Sequence, residues 1–300
     1  MNEPKKPMAE ANRISKILKL TMGEDRFPVN IEEVAKEISK KYYPDSPITK
    51  IDGKDMEGFD GLLKPNKDRS KWIIVYNTAV SPGRQRFTLA HEFGHYILHQ
   101  DIQTEFACHQ ASSDDWDATE RRIEPEADLF ASTLLMPLDD FRTQVAGQEI
   151  SFDLFGHCAD RYGVSLTAAI LRWLEITDKR AILVASRDDY LLWASSNRHA
   201  FRSRAYFATR KNTIPVPEGS NIHSLNRFSV NQYEVVKANI WFPEEPDSVR
   251  LTEMSLMSDQ YDFTLTLLLM PTADWQLLNH DDEPDEEELT GFIGYRQFPG

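Results

Sequence analysis

Apolar residues recur at helical spacing near the start of this 300-residue chain. Ile14, Ile17, Leu18 and Leu20 fall on one side of residues 8–22. Ile31, Val34, Ala35 and Ile38 do the same in a second helix that starts after Pro28, with Asn30 as its cap. The period then shortens. Residues 59–63 and 72–77 read as strands, with a turn at 65–68 between them. Ser81, Pro82 and Gly83 mark a helix start, because serine caps and proline fits the first position. The helix that follows is apolar at Phe87, Leu89, Ala90, Phe93, Ile97 and Leu98, enough to bury most of it. Residues 100–118 are polar and read as a loop. A helix is expected from Pro125 to Met136, apolar at Ala127, Phe130, Ala131, Leu134 and Leu135 and ended by Pro137. A short helix at 139–147 follows. Next comes a helix pair at 151–162 and 165–176, with Gly163 as the turn and Ser165 as the second cap. From about residue 180 the pattern is β-rich. Segments 181–185 and 190–193 flank Asp188 and Asp189 as a hairpin, and further strands are expected at 233–241 and 261–270. The expectation is an α+β chain of two domains. Residues 1–178 are mostly helical with a small sheet, and residues 179–300 are β-rich.

Composition narrows the function. The net charge of −14 argues against non-specific binding to nucleic acid or to an anionic membrane. Part of that charge lies in the acidic run 281–288, read as a solvated loop. Two cysteines, Cys108 and Cys158, make no disulfide framework and fit a reducing, cytoplasmic setting. The longest apolar run, 265–270, is far short of the ~20 residues of a membrane span and reads as a buried strand.

The chemistry concentrates in His91, Glu92, Phe93, Gly94 and His95, an HExxH motif on the predicted buried helix. Residues four apart stand one turn above each other, so both imidazoles can reach one zinc ion at roughly 2.0–2.1 Å. Glu92 is then placed to act as general base on a water at the metal. A catalytic zinc site takes three protein ligands. The third is sought in residues 123–131, with Glu124 preferred on the residues to Glu126. On a helix Glu124 and Asp128 share a face. Glu124 can then bind metal while Asp128 accepts the N–H of a ligating histidine. Glu126 is the rival, on another side of the helix. Pro125 biases Glu124 away from helical geometry, which makes N-capping its competing role. His99 lies one further turn along, rotated by about 40°, as a second-layer or cleft residue rather than a third ligand. Tyr96 and His99 are weak candidates for an oxyanion donor. Arg84 and Arg86 read first as structural or solvated charges. Cys108 and His109 lack partner spacing for a second metal site.

The run Arg84 to His95 resembles the ImmA/IrrE family of metallopeptidases. So do the segment Ala127, Asp128, Phe130, Ala131, Leu134, Leu135, Met136, Pro137, the segment from Pro28 to Ala35, and the helix pair ending at Gly163 to Ala168. The likeness spans roughly residues 10–176. Beyond 180 it is weaker and is similar to the longer, radiation-response members, with a GAF-like, sensory C-terminal part. The resemblance implies a zincin-like peptidase domain with His91, His95 and Glu124 as zinc ligands and Glu92 as catalytic base. Asp128 stands where the family usually has asparagine, and Pro125 departs from the pattern. Manganese or iron in place of zinc is also compatible with such ligands. The implied substrate is an XRE-type helix-turn-helix repressor encoded nearby, whose cleavage switches on stress-response, mobile-element or defence genes. Two other readings are carried. One is a non-proteolytic module that sequesters a repressor. The other is a defence protease triggered by nucleic acid or a small molecule at the C-terminal part, where Arg198, Arg202, Arg204, Arg210 and Lys211 stand among Phe201, Tyr206 and Phe207. The helix pair at 151–176 carries few basic residues, so packing is preferred to DNA reading.

Overall fold

Helices α1 (Pro7–Met22) and α2 (Ile31–Tyr42) form where the apolar spacing places them, and the Asn30 side chain accepts the Glu33 N–H as the cap of α2. The computed structural model describes residues 5–102, 106–109, 119–225, 232–258 and 262–272. Strands β1 (Ile48–Lys54), β2 (Phe59–Pro65) and β3 (Trp72–Asn77) lead into α3 (Pro82–His99), capped by Ser81. Then come β4 (Phe106–His109), α4 (Glu120–Leu135), α5 (Leu138–Val145), α6 (Phe152–Tyr162) and α7 (Leu166–Leu174). The first sheet has the order β1-β3-β2-β4, with β1 parallel to β3 and the other pairings antiparallel. Helix α3 packs on β2 and β3, α4 packs on α3, and α1 packs on α4.

Three features of this half depart from the sequence expectation. Strand β1 was not expected. Only Ile48 of its seven residues is buried, so no alternating pattern marks it, and its pairing with β3 makes it a strand. Strand β4 lies inside the stretch expected to be loop. Its pairing with β2, Phe106 opposite Leu63, is a contact local sequence does not encode. Residues 103–105 and 110–118 of that stretch lie outside the described residues. Helix α4 starts at Glu120, not Pro125, so Pro125 is inside it. The cost is small. Proline removes one bond, to the carbonyl four residues back, near the helix start. Ile123 and Ala127 are both buried, and the Ala127 carbonyl approaches Gly94 of α3.

The second sheet contains β5 (Arg180–Arg187), β6 (Tyr190–Ser196), β7 (Gln232–Lys237), β8 (Arg250–Ser258) and β9 (Phe263–Met270), with the short helix α8 (Arg198–Arg202) after β6. Its order is β6-β5-β9-β8-β7, antiparallel throughout. Asp188 and Asp189 turn the β5–β6 hairpin with φ of 50° and 62°. The expected strand at 233–241 stops at Lys237, where Ala238–Ile240 tighten into a 3-10 turn. Strand β8 was not expected, because buried polar residues interrupt its apolar pattern. Glu253 is fully buried and accepts from Ser220 Oγ at 2.6 Å and Trp241 Nε1 at 3.0 Å.

Side chains alternate across this sheet with period two. Ala181, Leu183, Leu265, Leu267 and Leu269 join the apolar cluster that runs through α1 to α7. Ile182, Val184, Leu268 and Met270 belong to a separate cluster with Phe207, Trp241 and Phe242. Helix α7 packs on β5 and buries Ala169, Ile170, Leu171, Trp173 and Leu174. A helix so placed is a packing element and cannot enter a DNA groove. A polar hub joins α5 to α6. Asp140 accepts from Arg161 Nε at 2.8 Å and from the Tyr162 hydroxyl at 2.6 Å, with Arg26 at 3.8 Å. Burial raises the Asp140 carboxyl, but the bonds from Arg161 and Tyr162 outweigh it and hold the group below its usual value. No helix among the described residues is long and apolar enough to cross a membrane. The acidic run 281–288 lies outside them.

Candidate metal centre

Helix α3 is buried along much of its length, and that burial brings its histidines to a buried interface with α4. His91 and His95 are fully buried, and Glu124 of α4 is 8% exposed. Gly94 permits the contact. A Cβ there would meet Phe130 Cδ1 at 3.0 Å and the Ala127 carbonyl at 3.3 Å, so a larger residue would push α4 back. Four residues of α4 precede Glu124, so it is a helical residue rather than a cap despite Pro125.

The donor atoms converge. His91 Nε2 and His95 Nε2 are 2.7 Å apart, and Glu124 carboxylate oxygens lie 3.3 Å and 3.2 Å from them. Among the described residues, His91, His95 and Glu124 form the grouping able to hold a metal ion. Ligands about 2.05 Å from a tetrahedral zinc are separated by about 3.3 Å. His91 Nε2 to Glu124 Oε2 and His95 Nε2 to Glu124 Oε1 are near that value, each nitrogen facing a different oxygen. The imidazole nitrogens, at 2.7 Å, are well inside it. Asp128 Oδ1 lies 2.8 Å from His91 Nδ1. An ionised carboxylate only accepts, so His91 carries its proton on Nδ1 and turns the Nε2 lone pair toward His95 and Glu124. Two nitrogen ligands and a carboxylate, one of them oriented by a second carboxylate, fit a divalent cation.

The other sequence candidates separate clearly. Glu126 does not join the three; its Oε2 lies 2.8 Å from His99 Nε2. His99 is 1% exposed and its Nδ1 is 3.0 Å from His95 Nδ1. Burial, with His95 beside it, pulls His99 down to about 4. The Phe106 ring of β4 stacks on His95 at 4.7 Å, a wall that the sequence, read as loop there, did not show. Tyr96 is fully buried and gives its hydroxyl to the Ser46 carbonyl at 2.9 Å, which removes it as an oxyanion donor. Arg84 pairs with the buried Asp60, and Arg86 donates to the carbonyls of Val29 and Tyr162, so both are structural. In the second sheet region Phe201 and Phe207 are core residues rather than a stacking platform, whereas Tyr206 is exposed.

Glu92, next to His91, is fully buried against β2. A Cβ on Gly61 would stand 2.6 Å from Glu92 Oε1 and 2.5 Å from Thr88 Cγ2. The backbone of β2 therefore lies directly on the glutamate. Gly61 follows an irregularity in the β2–β4 register between Phe59 and Gly61. Sequence reading missed Gly61. The signal was only a glycine inside a strand pattern, which marks close backbone approach.

Residues 48–174 match the IrrE N-terminal-like domain. This segment is similar to the ImmA/IrrE family. The radiation response metalloprotease IrrE of Deinococcus radiodurans is 38% identical over 78 residues, which is 26% of this chain and 22% of that protein. Its counterpart in Deinococcus deserti is 34% identical over 123 residues, 39% of this chain and 40% of that protein. The metallopeptidase ImmA of Bacillus subtilis is 32% identical over 84 residues, 27% of this chain and 44% of that protein. The chain thus spans less than half the length of the curated relatives it matches. A metallopeptidase needs a divalent metal, and the three convergent donors are the residues here with the chemistry to hold one.

Proposed function

We propose that this chain is a zinc-dependent metallo-endopeptidase of the ImmA/IrrE family, with His91, His95 and Glu124 as the metal ligands and Glu92 as the general base. The observation that carries the reading is the convergence of two imidazole nitrogens and one carboxylate within 3.3 Å of one another, in a buried site beside a second glutamate. When bound, the cation supplies Lewis acidity to the scissile carbonyl and acidifies water. Glu124 balances its charge, and Asp128 holds His91 in the ligating tautomer. Glu92 accepts the proton of the attacking water at a carboxylate oxygen and passes it to the leaving amine nitrogen. Its burial against Gly61 restricts where that carboxylate can stand. Zinc is preferred to manganese or iron because two imidazoles and one carboxylate match the ligand set of catalytic zinc sites.

The substrate we propose is an XRE-type helix-turn-helix repressor encoded beside this protein, cleaved to derepress stress-response, mobile-element or defence genes in the cytoplasm. The acidic net charge complements a basic DNA-binding partner. We place the peptidase domain at 1–178 and a C-terminal, GAF-like sensor at 179–300. Its antiparallel sheet carries an apolar cluster of its own on one face, while the other face shares the core of α1 to α7. The test is incubation with the neighbouring repressor, with and without chelator, and mass mapping of the fragments. Cleavage that stops with chelator and with Glu92→Gln, while Glu92→Gln retains metal and fold, is the expected result. If Glu92→Gln keeps full regulatory activity, the protein sequesters its repressor instead.

A further inference from the structure

Two histidines face the proposed cation, but they are supported differently. His91 meets a carboxylate directly, with Asp128 Oδ1 at 2.8 Å from Nδ1. His95 meets another imidazole, with His99 Nδ1 at 3.0 Å from its own Nδ1. His99 in turn reaches Glu126 Oε2 at 2.8 Å through Nε2. The residues come from two helices in contact: His91, His95 and His99 from successive turns of α3, and Glu124, Glu126 and Asp128 from α4.

Proton counting fixes this chain of contacts. Glu126 is an acceptor, so the proton between it and His99 sits on His99 Nε2. The singly protonated His99 then offers a lone pair at Nδ1. His95 must supply the proton of the Nδ1–Nδ1 contact, which clears its Nε2 to be a ligand. Without an acceptor at position 99, the His95 proton is free to sit on Nε2, the atom that must bind metal. His99 is 1% exposed, so bulk water is not at hand to replace it, and the Phe106 ring on His95 closes another side.

We propose that His99 and Glu126 are positioning residues for the metal site, forming a relay in which Glu126 sets the tautomer of His99 and His99 sets the tautomer and ring orientation of His95. The proposal rests on His91, His95 and Glu124 holding a divalent cation. Neither relay residue is among the three converging donors. The Glu126 side chain is 33% exposed, against 5% for Asp128, so water can partly substitute at the outer end of the relay but not at its middle. Position 99 should therefore matter more than position 126.

The test uses the full chain and zinc alone. Zinc affinity is measured by chelator competition for the wild type, His99→Phe, His99→Gln and Glu126→Ala, with the melting temperature of each metal-free protein as a folding control. Loss of a histidine's hydrogen-bond partner weakens metal binding about 10–100-fold, and His99→Phe should fall in that range. His99→Gln, whose amide oxygen can accept from His95, should recover most of the loss, and Glu126→Ala should lie between. Nitrogen-15 spectra of the zinc-loaded wild type should show His95 protonated on Nδ1 and His99 on Nε2. A folded His99→Phe with zinc affinity within about twofold of wild type, well inside the expected loss, overturns the relay and leaves the metal site standing. So does a wild-type spectrum with the His99 proton on Nδ1, even if His99→Phe does not fold. A wild type that binds zinc no better than His91→Ala overturns both the relay and the metal reading.

Discussion

Gly61→Ala adds one methyl group against the proposed general base. Alanine in place of a strand glycine ordinarily stabilises by about 0.4–1 kcal/mol. Here the new Cβ would lie 2.6 Å from Glu92 Oε1, and ordinary contact begins near 3.4 Å, so the carboxylate must retreat by about 0.8 Å. The Thr88 methyl, at 2.5 Å, must move as far. Neither has room, because Thr88 is 4% exposed and Glu92 is fully buried. Thr88 is also stiff at χ1. Overpacking of this kind costs about 1–3 kcal/mol. Misplacing a catalytic group by about 1 Å costs roughly 100-fold in rate. The variant should bind zinc, melt lower, and lose about two orders of magnitude in kcat on the cleaved protein substrate. The double variant Gly61→Ala with Thr88→Ser removes the methyl clash but not the carboxylate clash. It should regain stability while staying slow. A Gly61→Ala protein with wild-type melting temperature and wild-type kcat would refute the placement of β2 on Glu92.

Glu124→Ala removes one of the three converging donors and should abolish stoichiometric zinc, read by metal analysis after dialysis, while the apo fold melts within a few degrees of wild type. Gly94→Ala forces α4 away from α3 against Phe130 and the Ala127 carbonyl. It should cost about 1–3 kcal/mol by denaturant unfolding and weaken zinc binding, because α4 carries Glu124. Asp140→Asn strips the charge that Arg161 and Tyr162 hold, and should cost about 3 kcal/mol at neutral pH. The folded carboxyl lies below its usual value, so its contribution is present above the unfolded value near 3.8 and is lost as pH falls through the folded one. The stability gap between wild type and Asp140→Asn should therefore shrink below pH 4; a gap that widens there refutes the assignment.

Much of the site was legible in the chain because it lies on one helix. The spacing of His91 and His95 is a property of α-helix geometry, and the apolar residues around them require that helix to be buried. The caps at Asn30, Ser81, Ser151 and Ser165 act on N–H groups within three residues, so local sequence suffices to find those helix starts. The β5–β6 hairpin was readable for the same reason. The missed elements are of the opposite kind. Strands β1 and β4 are strands because of partners, and β8 hides its apolar face behind Glu253 and Ser255, whose hydrogen-bond partners are far along the chain or across the sheet.

The chain by itself determined the ladder of histidines, the two glutamates able to answer it, and the helical and strand periods that bury them, all consequences of short-range geometry. The residues already favoured Glu124 over Glu126, and only the tertiary structure brought a carboxylate to the histidines. The packing of α4 on α3 extends the helix back through Pro125, sets Glu124 against His91 and His95, and sends Glu126 to His99. It alone also laid Gly61 on Glu92. These are contacts between segments tens of residues apart, fixed by the burial of whole faces rather than by any local preference.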